Sequence, residues 1–298
     1  MIPTGAAEIM GNKTNRIGLI IRHTLGRLLS DKSYISHDFK RVFGKKPDLE
    51  NPVTYSEKLQ WLKLYDRKPL YKTLADKIAV RDYISKNYGS RYLFPLHGVY
   101  DSYDDIDFNV LPNKFVLKPS HASGHIFFCE NKDEIDHGAL RKTVNRWLRT
   151  DYYYEHREWQ YKGIQRKLLC EKYMVDSEYG VPRNYKFFCF NGEPKVLLVT
   201  TGNGPNRPQN YFDLDFNALD ICSDRRNIEK LEKPENFDEM LFLVRKIVKP
   251  FLHVRMDMYI ISGKIYIGEF TFHHYSGVKK WHPESADLEL GAMLELPI

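Results

Sequence analysis

The sequence has few cysteines and none of the patterns typical of membrane-spanning or secreted proteins. Its four cysteines, among 298 residues, show no CxxC spacing and lie in or beside apolar, strand-like runs. We therefore expect reduced, buried thiols and a cytoplasmic location. The longest apolar runs are strand-sized, well short of the ~18 residues that cross a bilayer. Met1 is not followed by a charged and then an apolar segment, so a secretory signal peptide is not expected.

Three common functional signatures are also missing. No GxxxxGK[ST] phosphate loop is present. No zinc-finger, helix-turn-helix or RNP-like motif occurs, so a nucleic-acid partner is not expected; the spread net charge of +6 suits an anionic substrate, a nucleotide or an anionic membrane surface. His273, His274 and His282 do not predict zinc. Neighbouring strand residues point to opposite faces, and no cysteine or acid stands at ligand spacing.

What is present indicates a packed globular protein, 42% hydrophobic and 14% aromatic. The N-terminal third reads as helical. A basic amphipathic helix is predicted within residues 16–32, another after Thr54, and a third opening at Asp76-Lys77. For the first helix we favour packing on the core. The alternative is a surface helix resting on anionic lipid at the inner face of the plasma membrane.

The remainder is rich in strands. Phe115–Lys118 and His125–Cys129 form one predicted hairpin, and Asn191-Gly192 marks a second, because Asn-Gly between apolar runs is a strong hairpin signal. A third hairpin turns at Ser262-Gly263. Antiparallel hairpins with separate helices predict an α+β fold, with a mixed α/β assembly as the alternative.

The third hairpin carries the most informative charges. Asp257 and Glu269 are predicted to face each other across it, beside Arg255, with apolar residues on either side. Carboxylates held close together repel unless a cation joins them, and magnesium typically binds one or two such groups together with phosphate oxygens. The hairpin therefore predicts a site for Mg²⁺ and polyphosphate. The alternative is a structural Arg255–Glu269 ion pair.

A second candidate site follows the strand that ends at Lys118. Lys118 is placed to reach a phosphate, which Ser120, Ser123 and the backbone around Gly124 would surround. The alternative is that Lys118 only caps a sheet edge.

Two further charged residues lie in apolar strands. Glu171 either binds the polar edges of an adenosine or is a strand-edge charge paired with Lys172. Lys186 alternates with aromatic residues, so its burial requires a partner, either a phosphate or a carboxylate.

Taken together, these stretches resemble the TupA-like ATP-grasp proteins of bacterial surface-polysaccharide gene clusters, over roughly residues 30–291. The resemblance is carried by Asn51–Asp66, Asp76–Arg81, Phe115–Lys118, Glu171–Tyr173, Tyr185–Gly192, Tyr211–Asp215 and the hairpin of Arg255, Asp257 and Glu269.

The resemblance implies two α+β lobes whose antiparallel sheets clamp ATP and Mg²⁺. A helical region would span residues 1–95, a small lobe with the phosphate loop 96–175, and a lobe with the metal site 176–298. It also implies roles for single residues. Lys118 and Lys186 would contact the phosphates, and Glu171 and Tyr173 the adenosine. Asp257 and Glu269 would bind Mg²⁺, Arg255 would bind the γ-phosphate, and the Ser120–Gly124 loop would close over the phosphates as a lid.

The sequence departs from the family pattern in three places. Ala122 stands where the family often has glycine, and Phe272–Gly277 stands where a Pro-Gly turn is expected. Thr271 replaces the asparagine that often supplies a further metal ligand, which weakens the case for two metal ions.

The function implied is an ATP-dependent carboxylate–amine ligase that works through an acyl phosphate. Its expected substrates are a uronic-acid carboxylate of a surface glycan or its precursor, as in capsule biosynthesis, and an amine or amino acid. We predict that Asp257→Asn or Glu269→Gln abolishes ATP turnover while the protein stays folded, since one such contact is typically worth ~10²–10³ in rate.

Two other functions remain open. One is a glycosyltransferase of the same pathway, for which Asp213-Leu214-Asp215 and Asp105-Ile106-Asp107 supply weak DxD signals. The other is a non-catalytic scaffold that binds ATP or a glycan precursor.

Overall fold

A computed structural model of the chain describes residues 27–178, 180–202, 208–223 and 231–298. The predicted basic helix over residues 16–32 lies largely outside these ranges, and its membrane contact stays a prediction. Within the ranges described, no helix is both long enough and apolar enough to cross a bilayer.

Short helices form most of the N-terminal part and flank the sheets. The α-helices are α1 (Asp31–Phe43), α2 (Tyr55–Tyr65), α3 (Pro69–Ala75), α4 (Ala79–Asn87), α5 (His137–Arg149), α6 (Tyr153–His156), α7 (Phe237–Val248) and α8 (Ser285–Ala292). Single 3₁₀ turns occur at Ser90–Tyr92, Lys132–Glu134, Trp159–Tyr161 and His274–Gly277. The predicted start of α2 is confirmed: the Thr54 hydroxyl accepts from the Glu57 N–H, and the Glu57 carboxylate accepts from the Thr54 N–H, each at 3.2 Å.

The first sheet has four antiparallel strands in the order β1-β4-β2-β3. They are β1 (Leu96–Tyr100), β2 (Phe115–Pro119), β3 (Phe127–Cys129) and β4 (Leu168–Lys172). Leu117 and Cys170 on one face pack with Val144 and Trp147 of α5. Because side chains alternate along a strand, Lys118 and Glu171 lie on the opposite face.

The second sheet has five antiparallel strands in the order β7-β6-β5-β8-β9. They are β5 (Arg183–Phe190), β6 (Glu193–Thr201), β7 (Gln209–Phe212), β8 (His253–Ile261) and β9 (Lys264–Thr271). The turns Asn191-Gly192 and Ser262-Gly263 join consecutive strands, and all four residues have φ between 48° and 82°. Positive φ at both central positions is the type I′ geometry of tight hairpins, so both predicted turns are confirmed.

Helices cover both faces of the second sheet. Helix α7 packs on the face that carries Phe187 and Met256, in a cluster that also includes Leu74 of α3 and Ile84 of α4. Helices α2 and α8 pack on the other face, around Phe188. Two antiparallel sheets with separate helices make this an α+β fold, as predicted. The division at residues 95 and 175 stays a prediction.

Candidate active site

The register of the second sheet brings three predicted site residues into one row. Lys186 on β5 pairs with Asp257 on β8, which pairs with Glu269 on β9. A bulge follows this row, where Gly268 is the extra residue. Because of the bulge, Glu269 and Ile267 lie on opposite faces of the sheet: Glu269 is beside Asp257, and Ile267 points into the core. A Cβ at Gly268 would come within 2.7 Å of the Tyr259 ring, so only glycine fits there.

Asp257 is the centre of a buried cluster of charges. Arg255 binds it as a fork, with Nε 2.6 Å from Oδ1 and Nη2 2.8 Å from Oδ2, and Lys186 Nζ donates to Oδ2. The three residues are only 1–9% exposed. Burial alone would raise the pKa of Asp257, but Arg255 and Lys186 outweigh it and hold that pKa low. The carboxylate therefore stays ionised and serves as counter-ion to two cations.

Glu269 has a different environment. Its side chain is 39% exposed, and its one ion pair shown is with Arg255, from Nη2 to Oε1 at 3.4 Å. The structural Arg255–Glu269 pair is therefore present, but it is much looser than the pair with Asp257. Thr271 also contacts Arg255, accepting a hydrogen bond from Nη2 at 3.0 Å.

These donors fit one magnesium ion only if the substrate completes its coordination. Asp257 Oδ2 already accepts two hydrogen bonds and Oδ1 accepts one, which leaves a lone pair on Oδ1, whereas Glu269 is 39% exposed and has one loose contact shown, with Arg255. No group of three or more acidic, histidine or cysteine side chains in the described part of the chain could hold a metal ion unaided. Magnesium typically uses one or two protein carboxylates with phosphate and water. Asp257 and Glu269 meet that requirement.

The polar face of the first sheet supplies a second charged cluster. Lys118 Nζ lies 2.6 Å from Glu171 Oε2, and Arg81 Nη1 lies 3.5 Å from Glu171 Oε1. Glu171 thus pairs across the sheet with Lys118, and not with Lys172, the partner that the structural alternative had proposed. Lys118 and Arg81 keep 19% and 17% of their side chains exposed.

The loop after β2 contains one serine that is buried in structural hydrogen bonds and a tip that a ligand can reach. Ser120 is wholly buried, and its hydroxyl donates to Gln165 O at 2.7 Å and accepts from Lys167 N at 3.1 Å. Ser120 therefore anchors the base of the loop. Ser123 is half-buried and Gly124 is exposed, with φ of 74°, so the tip is the part that can approach a ligand.

Tyr173 lies just beyond β4, among residues of the outer strands. Its hydroxyl donates to Glu130 at 3.4 Å, and its ring meets Phe128 edge-on at 6.1 Å. Lys114 Nζ lies 5.9 Å from the ring centroid. Tyr173 is not among the residues that line the cleft described next, and its adenosine role stays a prediction.

A cleft is lined by the Glu171 cluster on one side and by Glu269, the neighbour of Asp257, on the other. Lys118 and Glu171 line it from the first sheet, and Gly268 and Glu269 line it from the second. Its remaining charged lining is Lys77 and Arg81, from the helical N-terminal part. Sequence reasoning assigned these two residues no role, although the Asp76–Arg81 stretch carried part of the family resemblance.

Lys77 connects the N-terminal part to the Ser120–Gly124 loop through two hydrogen bonds. Its backbone N–H donates to Ser120 O at 3.1 Å, and its ammonium donates to Ala122 O. Burial lowers the pKa of Lys77 to about 8, against the opposing effect of Glu269. Among the described residues a carbonyl is the one hydrogen-bond acceptor shown for this ammonium, so its remaining N–H groups can donate to an anion.

The DxD pairs have local structural roles. Asp213 Oδ1 accepts from the N–H groups of Asp215 and Asn217, at 2.9 and 2.8 Å. Asp105 accepts from Ser102 N, and Asp107 from Asn109 N, in exposed turns. The contacts of Asp213 with Asp215 and of Asp107 with Asn109 are typical of Asx turns, and that of Asp105 closes a turn from its other end.

Comparison with known proteins supplies the family. The profile of a family described as TupA-like ATP-grasp matches residues 57–295. Curated protein sequences gave no significant match.

Solved structures gave distant matches. A D-alanine–D-alanine ligase from Bacillus anthracis, complexed with ATP, is 17% identical with a TM-score of 0.41, covering 67% of this chain and 55% of its own. An L-amino acid ligase from Bacillus licheniformis is 13% identical with a TM-score of 0.45, covering 75% and 50%. A D-alanine–D-alanine ligase from Helicobacter pylori is 14% identical with a TM-score of 0.44, covering 80% and 69%. The chain spans about half the length of the first two proteins.

Proposed function

This chain belongs to the TupA-like ATP-grasp family, and we propose that it is an ATP-dependent ligase that joins a carboxylate to an amine. The membership confirms the ATP-grasp fold predicted from the resemblance. The observation that carries the proposal is the cleft, where Lys77, Arg81 and Lys118 meet Glu269 of the second sheet. Cations on one side and a partly free carboxylate on the other suit a polyphosphate bound with a divalent metal ion.

The proposed reaction has two steps. A carboxylate oxygen of the substrate attacks the γ-phosphorus of ATP, and the bond from that phosphorus to the bridging oxygen of ADP breaks. The amine nitrogen then attacks the acyl carbon, the bond from that carbon to the phosphate oxygen breaks, and the nitrogen loses a proton. No covalent enzyme intermediate is needed, so positioning and charge neutralisation supply the catalysis.

On the first-sheet side, Lys118 is proposed to exchange its carboxylate partner for a phosphate of ATP. In the structure its ammonium is paired with Glu171 and remains partly exposed. An arriving phosphate would replace that carboxylate as its partner, and Glu171 would keep Arg81 or turn to the ribose hydroxyls. Lys77 would bind the phosphates beside the loop that it anchors.

On the second-sheet side, Arg255 is the residue proposed to bind the transferred phosphate. Four of its five N–H groups contact Asp257, His274, and Thr271 or Glu269, which leaves one on Nη1 for which the described residues show no partner. A guanidinium held this firmly needs no reorganisation as charge develops. Asp257 and Glu269 would hold Mg²⁺, and the ion, when bound, neutralises phosphate charge during transfer.

The finer parts of the proposal come from the family resemblance. They are a uronic-acid carboxylate of a surface glycan or its precursor, an amine or amino acid as the second substrate, and a cytoplasmic location. A glycosyltransferase is less well supported, because Asp213 and Asp107 take part in turns of their own.

A ligand panel followed by turnover measurements tests the function. We expect ATP with Mg²⁺ to raise the melting temperature and UDP-sugars to leave it unchanged. We then expect release of ADP that requires both a carboxylate and an amine, and that is lost in Glu269→Gln but kept in the exposed control Asp215→Asn. A response to UDP-sugars alone, lost in Asp215→Asn, would support the transferase. ATP binding with no ADP release for any substrate pair would support a scaffold.

A further inference from the structure

The turn after β9 has an unusual backbone. Tyr275, Ser276 and Gly277 have φ of 45°, 55° and 63°, a left-handed run in which two residues are not glycine. Such conformations cost about 1–3 kcal/mol each and persist only where surrounding contacts hold them; they are common at functional sites. This is the segment where the sequence departs from the expected Pro-Gly turn.

Buried polar groups hold the turn in place. Lys63 Nζ of α2 donates to Ser276 O at 2.6 Å, and Gln60 Nε2 donates to Gly277 O at 2.8 Å. The Ser276 hydroxyl donates to the buried Glu158. A Cβ at Gly277 would lie 2.3 Å from Gln60 Nε2, so the approach is close. The conformation of the turn is therefore set from two sides, by α2 and by the segment after α6.

The turn brings His274 against Arg255. His274 Nδ1 lies 2.6 Å from Arg255 Nη1, and the imidazole is 3% exposed. A guanidinium can only donate, so Nδ1 must be the acceptor and the ring proton must be on Nε2. Burial, then the charges of Arg255 and Lys186, hold the pKa of His274 well below its usual value, in agreement with a neutral ring.

This contact completes the support of the guanidinium. Asp257 binds Nε and Nη2, and Thr271 also binds Nη2, but His274 is the partner shown for Nη1 among the described residues. A carboxylate at this position would add a negative charge and compete with a phosphate. A neutral nitrogen orients Nη1 without that cost, and the second N–H of Nη1 has no partner among the residues that the structure describes.

We infer that His274 is a positioning residue for the transfer of the phosphate. Its neutral Nδ1 fixes the plane of the Arg255 guanidinium, so that the remaining Nη1 N–H meets the γ-phosphate. This inference rests on the proposed ligase function. The competing explanation is that the ring only fills space, since it packs edge-on against Phe188 at 4.8 Å and lies 5.9 Å from the ring of Trp281.

Two substitutions separate these explanations, because one keeps the ring bulk and removes the hydrogen-bond acceptor, and the other does the opposite. His274→Phe keeps the bulk of the ring but has no acceptor. His274→Asn loses ring bulk but places an amide oxygen near the position of Nδ1. We expect kcat for ADP release to fall about 10²-fold in His274→Phe, the size of losing one electrostatic contact, with a KM for ATP close to the wild-type value. His274→Asn should retain most of kcat despite a lower melting temperature. The reverse order would overturn the inference.

A spectroscopic measurement tests the same contact without turnover. In protein labelled with ¹⁵N-histidine, the His274 signals are those missing from His274→Phe. We expect an unprotonated Nδ1 and a protonated Nε2, and a shift of Nδ1 when a non-hydrolysable ATP analogue binds with Mg²⁺. A protonated Nδ1, or no shift on binding, would overturn the inference. If both expectations hold but wild-type protein releases no ADP with any substrate pair, the ligase proposal fails while the contact with a phosphate-bound Arg255 stands.

Discussion

The two charged clusters, one lining the cleft and one buried in the second sheet, are built in different ways. In the first, Lys118 and Arg81 share Glu171 through single contacts of 2.6 and 3.5 Å, and both cations are partly exposed. In the second, Arg255 donates two hydrogen bonds of 2.6 and 2.8 Å to Asp257, which is 1% exposed.

The difference indicates separate roles for the two clusters. Breaking a buried pair leaves an uncompensated charge that water cannot reach, so the second cluster is effectively permanent. In the first cluster Glu171 has two cationic partners, Arg81 and Lys118, and both cations are partly exposed, so Lys118 can turn to a phosphate while Glu171 stays paired with Arg81. The cluster that lines the cleft is therefore suited to admitting ATP, and the buried cluster to holding a preformed arrangement for the chemical step.

The largest effect is expected from Asp257→Asn. The substitution should reduce ATP turnover by ~10²–10³-fold. It should also destabilise the fold by ~3–5 kcal/mol, because Arg255 and Lys186 lose their buried counter-ion. Turnover assays and chemical denaturation measure the two losses. The structure thus changes the expectation from sequence that this variant stays fully folded.

Glu269→Gln is the matched control for that prediction. Its side chain is partly exposed and contacts Arg255 only at 3.4 Å, so we expect a similar loss of turnover with a nearly unchanged melting temperature. Equal destabilisation by the two variants would contradict the contrast between a permanent pair and an open ligand. Near-normal turnover in both would remove the magnesium assignment.

An intermediate effect is expected from Lys118→Met. The KM for ATP should rise at least ~10-fold, which corresponds to ~1.4 kcal/mol of lost binding. The free energy of unfolding should change by less than ~1 kcal/mol, because Glu171 keeps Arg81 as its partner. Lys172→Met, one strand residue after Glu171, is the control and should leave both quantities unchanged. If Lys118→Met mainly lowered stability, Lys118 would be a sheet-edge cap, the structural alternative.

The smallest effect is expected from pH. Lys77 has a pKa of about 8 in the protein without ATP, lowered by burial, with Glu269, Glu171 and Asp76 opposing this and Lys118 adding to it. Its ammonium is therefore charged below about pH 8 and loses its proton above it. The KM for ATP should rise several-fold from pH 7.5 to 9.5, and Lys77→Arg, which stays charged, should flatten this dependence. An identical profile in the two proteins would exclude Lys77 as the titrating group.

Local sequence signals predicted much of the fold. The Asn191-Gly192 and Ser262-Gly263 turns occur where expected, because paired positive φ values leave few other residue choices. Thr54 and Glu57 cap α2 for a similarly local reason. Within the site, the alternation of Lys186 with Tyr185 and Phe187 predicted a buried cation in need of a partner.

Long-range contacts were beyond such signals. Lys77 approaches Ala122 and Lys118 only after the N-terminal helices pack beside the first sheet, so no local pattern marked it as a site residue. The structural alternative for Glu171, a pair with Lys172, fails for a similar reason. Lys172 is its neighbour in the chain, yet adjacent strand residues point to opposite faces, and cross-strand pairing selects Lys118.

The sequence by itself determined the hairpins, the helix starts and the kinds of charge available, because these depend on backbone preferences and on alternation over a few residues. Only the tertiary structure decided which charges meet. The bulge at Gly268 sets Glu269 beside Asp257, and burial makes Asp257 a counter-ion while Glu269 stays partly exposed and only loosely paired with Arg255. Contacts with α2 and Glu158 determine the turn that carries His274 to Arg255. Burial and long-range contact depend on the whole chain, and a local pattern does not contain them.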